Sequence, residues 1–412
     1  MNDESERSTG EQAGGGSAPE NPQSAFRIPQ SAPPYGLLII AGSQTHQENY
    51  ARSFAADQRC RLIGLADEDD LPDRRRKLNA ELARELKIPY FDDLEAALAR
   101  DDVQIVCLCP EPERRGWLTV RCARAGKHVY IDKPLTSSVA DARGVVAAVK
   151  EAGVLSQMFS LVRTPLAQRA QRIIQSGRLG RLVGLHCELF FAKGIAGLAD
   201  LAKPRQERVP AERFSFIDSK RELFCVGVYP LVLFQWLTGS RTETVFGSTS
   251  NYFFAEHQRN DVEDFSCLMM QMPGGIEATI TVGRAGWSSH QSHGVHQIHL
   301  VGTEECITID AFRPRLEISS DAAPWRGPET PHREDPMGFW SSTQEAGGVL
   351  PKTDWWTLEE EITSDASYFL DCVEQGRQSD VPADVGAHAV EVIMAGYESA
   401  STGRTVQLFS RG

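Results

Sequence analysis

Three sets of residues in this 412-residue chain have types and spacing that could do chemistry. The first is IIAGSQTHQ at 39–47, where an apolar run ends in Gly42 and a helical pattern begins. A strand-to-helix turn of that kind can cradle a phosphate, because glycine admits a close backbone approach and the helix N-terminus offers free N–H groups. Here Gly42 is followed by Ser43, Gln44, Thr45, His46 and Gln47, so most of the glycine signal is missing. The second set is His290, His293, His296 and His299, spaced by threes. On a helix this would build a metal-binding face. The flanking GWSSHQSHGVHQIHLVG reads instead as a loop entering a strand, where His296 and His299 point to opposite faces, so no metal is expected. The third set is nine scattered cysteines. Cys107 and Cys109 lie in an apolar strand-like run, and no paired C-x-x-C spacing suggests zinc. They read as reduced thiols filling the cores of a cytoplasmic protein.

The elements that must position such residues follow from hydrophobic patterning. Residues 1–34 are rich in Gly, Ser, Pro, Glu and Gln and read as a disordered tail. From Tyr35, apolar runs (GLLIIAG, CRLIGLAD, VQIVCLCP, HVYID) alternate with helical stretches (HQENYARSFAADQ, RRRKLNAELARELK, residues 114–125). Val139, Ala142, Val146 and Val149 predict a further helix, closed by Gly153. Strands alternating with helices imply a parallel sheet covered on both faces. From about Leu182 the strand-like runs dominate, separated by turns such as Pro273-Gly274-Gly275, which implies a second domain on a mostly antiparallel, open sheet. Its free face predicts a homo-oligomer, a dimer or a tetramer. Two C-terminal helical stretches follow, one carrying Ile362, Ala366, Phe369 and Val373 on a single face. The net charge of −13 argues against nucleic-acid or anionic-membrane partners, no apolar run is of membrane-spanning length, and the polar N-terminus does not resemble a secretory signal.

The run AGKHVYIDKPLT at 125–136 resembles the Gfo/Idh/MocA family of glucose-fructose oxidoreductase and inositol dehydrogenase, with Asp132-Lys133-Pro134 in place of the family's Glu-Lys-Pro. IPYFDDLEAALARDDVQIVCLCPEP, RAQRIIQSGRLGRLVGLH and AVEVIMAGYESASTGRTVQL resemble further family segments in the same order, so the likeness runs from Tyr35 to Leu408. The resemblance implies an α/β protein: a Rossmann domain with a doubly wound parallel sheet over 35–158, then an α/β substrate and oligomerisation domain over 159–412, whose last helices can pack back on the first. It implies NAD or NADP as cofactor, with NAD favoured, and a sugar, polyol or sugar-acid-like small-molecule substrate. Lys133 matches the family's lysine near nicotinamide and substrate, where it can hydrogen-bond a hydroxyl and lower its proton affinity. Gly42, Gln44, Thr45, Asp67, Cys109, Pro110, Asp132 and Lys133 are the expected cofactor-binding residues. Asp67 matches the acid that pairs with the ribose hydroxyls and disfavours a 2′-phosphate.

The departures from the family pattern carry expectations of their own. Gln44 and Gln47 fall where the second and third glycines would stand. FCVGVYPLVLFQWLTG at 224–239 resembles the catalytic segment, with Tyr229 at the histidine position and Cys225 and Val232 replacing its two acids. Tyr229 can pass the proton if a cation such as Lys133 lowers its pKa. Arg163, Lys220 and Arg221 are candidate substrate contacts, and their convergence with Lys133 would suit an anionic substrate. A rival reading follows from the same losses: a catalytically degenerate member that acts as a binding, regulatory or scaffold protein.

Overall fold

The computed structural model describes residues 34–42, 46–68, 71, 73–192, 199–203, 205, 221–285, 294–310, 315–320, 352–357 and 363–408. The proposed tail thus lies outside the described residues up to residue 33. The first sheet holds β1 (Tyr35–Ile40), β2 (Cys60–Ala66), β3 (Tyr90–Phe91), β4 (Ile105–Leu108), β5 (His128–Ile131) and β6 (Ser156–Met158). Their order is β3-β2-β1-β4-β5-β6, and every pairing is parallel. β1, β4 and β5 are buried at every position, as strands covered on both faces must be. Side chains of β1 alternate between two cores: Leu38 and Ile40 face one, Leu37 and Ile39 the other. The helices between these strands are α1 (His46–Ala55), α2 (Asp73–Leu86), α3 (Leu94–Leu98), α4 (Pro112–Arg124) and α5 (Val139–Ala152). Proline opens α4, and the Ser138 hydroxyl caps α5 by accepting from the Asp141 N–H. The strand order reverses between β1 and β4, which opens a crevice at their C-terminal ends.

The second sheet has nine strands: β7 (Leu182–Ala192), β8 (Thr244–Ser250), β9 (Phe265–Met272), β10 (Ile276–Ala285), β11 (Gly294–Gly302), β12 (Glu305–Asp310), β13 (Arg315–Ser320), β14 (Lys352–Thr357) and β15 (Val406–Gln407). The order is β14-β13-β12-β11-β7-β10-β9-β8-β15. Only the β7–β10 pairing is parallel. One face is covered by α7 (Val228–Thr238) and α10 (Ala383–Thr402); the helix–sheet approach is so close that a Cβ on Gly247 would lie 2.7 Å from the Gly396 carbonyl oxygen. The other face is open and carries the exposed Phe246 and Met269. A π-helical turn, Leu223–Gly227, leads into α7. The remaining helices are α6 (Pro165–Gln175), α8 (Ala255–Arg259) and α9 (Asp365–Gln375).

The C-terminal segment returns to the first sheet. α9 packs on α1, α10 packs on α5, and the Met158 N–H donates to the Val381 carbonyl at 2.8 Å, so the β6 edge is covered. His296 is buried and His299 half-buried, on opposite faces of β11, while His290 and His293 lie outside the described residues. Among the described residues no cluster of three or more His, Cys, Asp or Glu could hold a metal, and no helix is long and apolar enough to cross a membrane. All nine cysteines are free thiols.

Candidate active site

The crevice is built from strand ends. Gly42 follows β1 so closely to the β4 exit that a Cβ would sit 2.7 Å from the Pro110 Cα and 2.9 Å from the Cys109 carbonyl oxygen. Only glycine fits there without displacing that backbone. Gln47, in the first turn of α1, is fully buried and its amide approaches the Gly42 carbonyl oxygen at 3.4 Å, so this glutamine packs under the turn. Gln44 and Thr45 lie outside the described residues. Cys109 is buried with its Sγ 3.7 Å from that of Cys107, and burial pushes its thiol well up.

At the end of β5, Asp132 is fully buried and both carboxylate oxygens are engaged. The Tyr50 hydroxyl donates to Oδ1 at 2.7 Å. His46 Nδ1 lies 2.9 Å from Oδ2, and Arg115 Nη2 donates to the same oxygen at 3.0 Å. Burial alone would raise the Asp132 pKa, but the charge of Arg115, the hydrogen bond from His46 and the charge of Lys133 outweigh it and hold the carboxyl below its ordinary range. Arg115 is itself fully buried and donates further to the carbonyl oxygens of Pro110 and Pro134, which ties the β4 exit to the β5 exit. The Lys133–Pro134 peptide bond is cis.

Lys133 crosses to the second domain. Its Nζ donates to the Cys225 carbonyl at 3.0 Å and lies 5.2 Å from the centroid of the Tyr229 ring. Burial disfavours its charge, but Tyr229, Cys225 and Asp132 together raise its pKa, so it is an ammonium at neutral pH. Tyr229 corrects an expectation: burial raises its pKa, and the Lys133 charge only partly opposes that rise. The phenol therefore keeps its proton at neutral pH. Phe159, following β6, meets Tyr229 edge-on at 6.3 Å and Tyr50 at 5.3 Å, forming an aromatic wall. Cys225 and Val232, in the places of the two missing acids, are buried apolar packing. The lysine is thus held by a backbone carbonyl where a carboxylate was lost.

At the other end of the crevice, Asp67 follows β2 and is 4% exposed, which excludes a solvated acidic turn. Its Oδ1 accepts from the Glu68 N–H and from Arg114 Nη2, both at 2.7 Å. Its Oδ2 is buried with no hydrogen-bond partner among the described residues. Burial pushes this carboxyl up to about 7 against the opposing charge of Arg114. An orphaned carboxylate oxygen at this strand end fits a ribose hydroxyl donor.

Among the described residues the candidate substrate arginines are engaged elsewhere. Arg163 Nη2 pairs with Asp380 at 3.1 Å and its guanidinium stacks 4.1 Å from the Tyr368 ring centroid. Arg221 is fully buried, 3.3 Å from Glu263 and over the Tyr397 ring. Arg221 is drawn to the buried Glu263 and Arg163 to the half-buried Asp380, and Lys220 lies outside the described residues. Arg115, Tyr50, His46 and Phe159 were not anticipated. Arg115 had a legible signal: with Leu118, Thr119 and Cys122 it falls on the buried stripe of α4, where an arginine must find a partner.

Comparison with known proteins bears on this arrangement. Residues 37–160 match the oxidoreductase family with an NAD-binding Rossmann fold, and residues 167–308 match the GFO/IDH/MocA C-terminal domain. Scyllo-inositol 2-dehydrogenase (NAD+) of Bacillus subtilis is 24% identical over 80% of this chain and 84% of its own length. The 4-carboxy-2-hydroxymuconate-6-semialdehyde dehydrogenase of a Sphingobium species is 43% identical over 106 residues, which is 24% of this chain and 34% of that protein. The structure of levoglucosan dehydrogenase in complex with NADH superposes with a TM-score of 0.68 at 17% identity, covering 90% of this chain and 98% of that one.

Proposed function

This chain belongs to the Gfo/Idh/MocA oxidoreductase family, NAD(P)-dependent enzymes that act on sugar-like small molecules by hydride transfer, and we propose that Lys133 and Tyr229 carry its chemistry. The observation that supports this is the meeting of the two side chains across the domain boundary, with the ammonium 5.2 Å from the phenol ring centre. The cofactor would be held by Asp67 at the adenosine ribose and by the Gly42 turn at the pyrophosphate; when bound, it supplies or accepts the hydride. Lys133 donates a hydrogen bond to the reacting substrate oxygen and stabilises negative charge as it develops there. Tyr229, protonated at neutral pH, gives its proton to that oxygen when a carbonyl is reduced and is left as the tyrosinate; alcohol oxidation is the reverse step and starts from that tyrosinate. Phe159 walls the site and keeps bulk water from the lysine.

The substrate in this reading is a neutral sugar or polyol. Arg163 and Arg221 are bound to Asp380 and Glu263, so neither is placed to clamp a substrate carboxylate.

Lys133→Met and Tyr229→Phe test the assignment. Each is expected to lower kcat by roughly 10²–10⁴-fold on the best substrate of a panel of sugars, polyols and sugar acids. NADH binding, followed by nicotinamide fluorescence, should survive Tyr229→Phe. Full turnover in Lys133→Met would remove the lysine from the mechanism. Absence of any turnover or NADH binding in the folded wild-type protein would favour the degenerate, non-catalytic reading.

A further inference from the structure

Asp132 ends β5 where the family motif has a glutamate, and here the shorter acid cannot reach into the crevice. It is fully buried, with Tyr50 on Oδ1 and with His46 and Arg115 on Oδ2. Of these partners His46 is the most exposed, its side chain being 32% exposed while the Asp132 side chain is at 0%. We infer that His46 is a cofactor-binding residue that accepts, through Nε2, a hydrogen bond from the ribose hydroxyls on the nicotinamide side of the dinucleotide. This rests on the cofactor reading given above.

The argument is one of donors and acceptors. An ionised carboxylate only accepts, so the His46–Asp132 hydrogen bond places the imidazole proton on Nδ1. In its neutral form the ring then has a bare Nε2, an acceptor, and no described residue hydrogen-bonds that atom. Asp132 thus passes its accepting capacity through the ring to the surface of the crevice, as carboxylate-backed histidines do when the partner fixes the tautomer. Position specifies the ligand. His46 is the first residue of α1, just after the Gly42 turn, and its carboxylate partner immediately precedes Lys133. The group it meets lies between the pyrophosphate and the reacting carbon, and in a dinucleotide that group is a ribose bearing two hydroxyl donors. Tyr50, edge-on to His46 at 6.4 Å, keeps the ring from swinging into the core.

The test separates this half of the dinucleotide from the rest. NADH affinity would be measured by nicotinamide fluorescence, and ADP-ribose and ADP by displacement of NADH, for the wild type and for His46→Ala. ADP-ribose carries the second ribose and ADP does not. The expected result is about a tenfold loss for NADH and ADP-ribose, the value of one hydrogen bond in a protected site, with ADP changed by less than about twofold. Retained ADP affinity also reports that the variant is folded. Unchanged NADH and ADP-ribose affinity would overturn the inference, as would an equal loss for ADP, which would place His46 on the phosphates. If the wild type binds none of the three, the cofactor reading itself has failed.

Discussion

Two aspartates close the two ends of the same crevice, and adjacent residues of α4 serve them: Arg114 pairs with Asp67 and Arg115 with Asp132. Both acids end a parallel strand and both are buried. Their protonation behaviour is nevertheless opposite. Asp67 is pushed up to about 7 by burial, whereas Asp132 is held below the ordinary range by Arg115 and His46 despite its burial. The difference lies in the donors. Asp132 has three side-chain donors spread over both oxygens, while Asp67 has two donors on one oxygen and none on the other. Burial raises a carboxylate pKa until enough donors offset the lost water, and only the Asp132 end reaches that point. A completed set marks a structural joint; an incomplete one marks a place for a ligand.

Removing the two arginines should separate these roles most strongly. Arg115→Met would leave Asp132 with a buried, poorly compensated charge and strip donors from the Pro110 and Pro134 carbonyls, costing about 3–5 kcal/mol of stability. Arg114→Met should cost only about 1–2 kcal/mol, because Asp67 can take up a proton and the Arg114 side chain is 14% exposed. Urea denaturation of both variants measures this, and equal losses would erase the distinction.

How much of this could be read beforehand depended on the range of the interaction. Long apolar runs such as those of β1 and β4 are local and were legible, as was the open second sheet. β3 and β6 were not identified as strands, because two or three residues are too few to show a period. Motif position singled out Lys133, Asp67 and Gly42, and the structure brings Lys133 to Tyr229. The grouping of Arg163 and Arg221 around a substrate failed for a tertiary reason: Asp380 and Glu263, far away in sequence, take them. The proton-passing role of Tyr229 was made conditional on a cation lowering its pKa, a condition that counted Lys133 but not the burial.

Asp67 should also set cofactor choice. In the proposed cofactor site its carboxylate would meet the 2′-oxygen side of the ribose and repel a phosphate there, while Arg114, hydrogen-bonded to it, would attract one. Asp67→Ser removes the repulsion and leaves the arginine. The NADPH-to-NADH affinity ratio is expected to rise about tenfold, or ~1.4 kcal/mol. A ratio that does not move would mean that the adenosine ribose is not bound at this end.

The smallest expected effect is the most specific to the comparison. In the free protein Asp67 titrates near 7, above its unfolded value of about 3.9, so the folded state holds a proton that the unfolded chain has released. Its contribution to stability is complete below about pH 4 and is lost as pH rises to about 7. Asp132 has the opposite sign: its contribution is present above the unfolded pKa and is lost as pH falls well below 4. Ribose hydroxyls donate best to an ionised acceptor, so NADH affinity should rise by a few-fold between about pH 6 and 8 as Asp67 ionises. Glu68, Glu111, Arg114 and Arg121 surround the same cluster, and His46 sits at the far end of the crevice. Asp67→Asn isolates the cause, because it removes this one titration and leaves those groups in place. The variant should bind NADH with a flatter pH profile, and a profile as steep as that of the wild type would assign the dependence to another group.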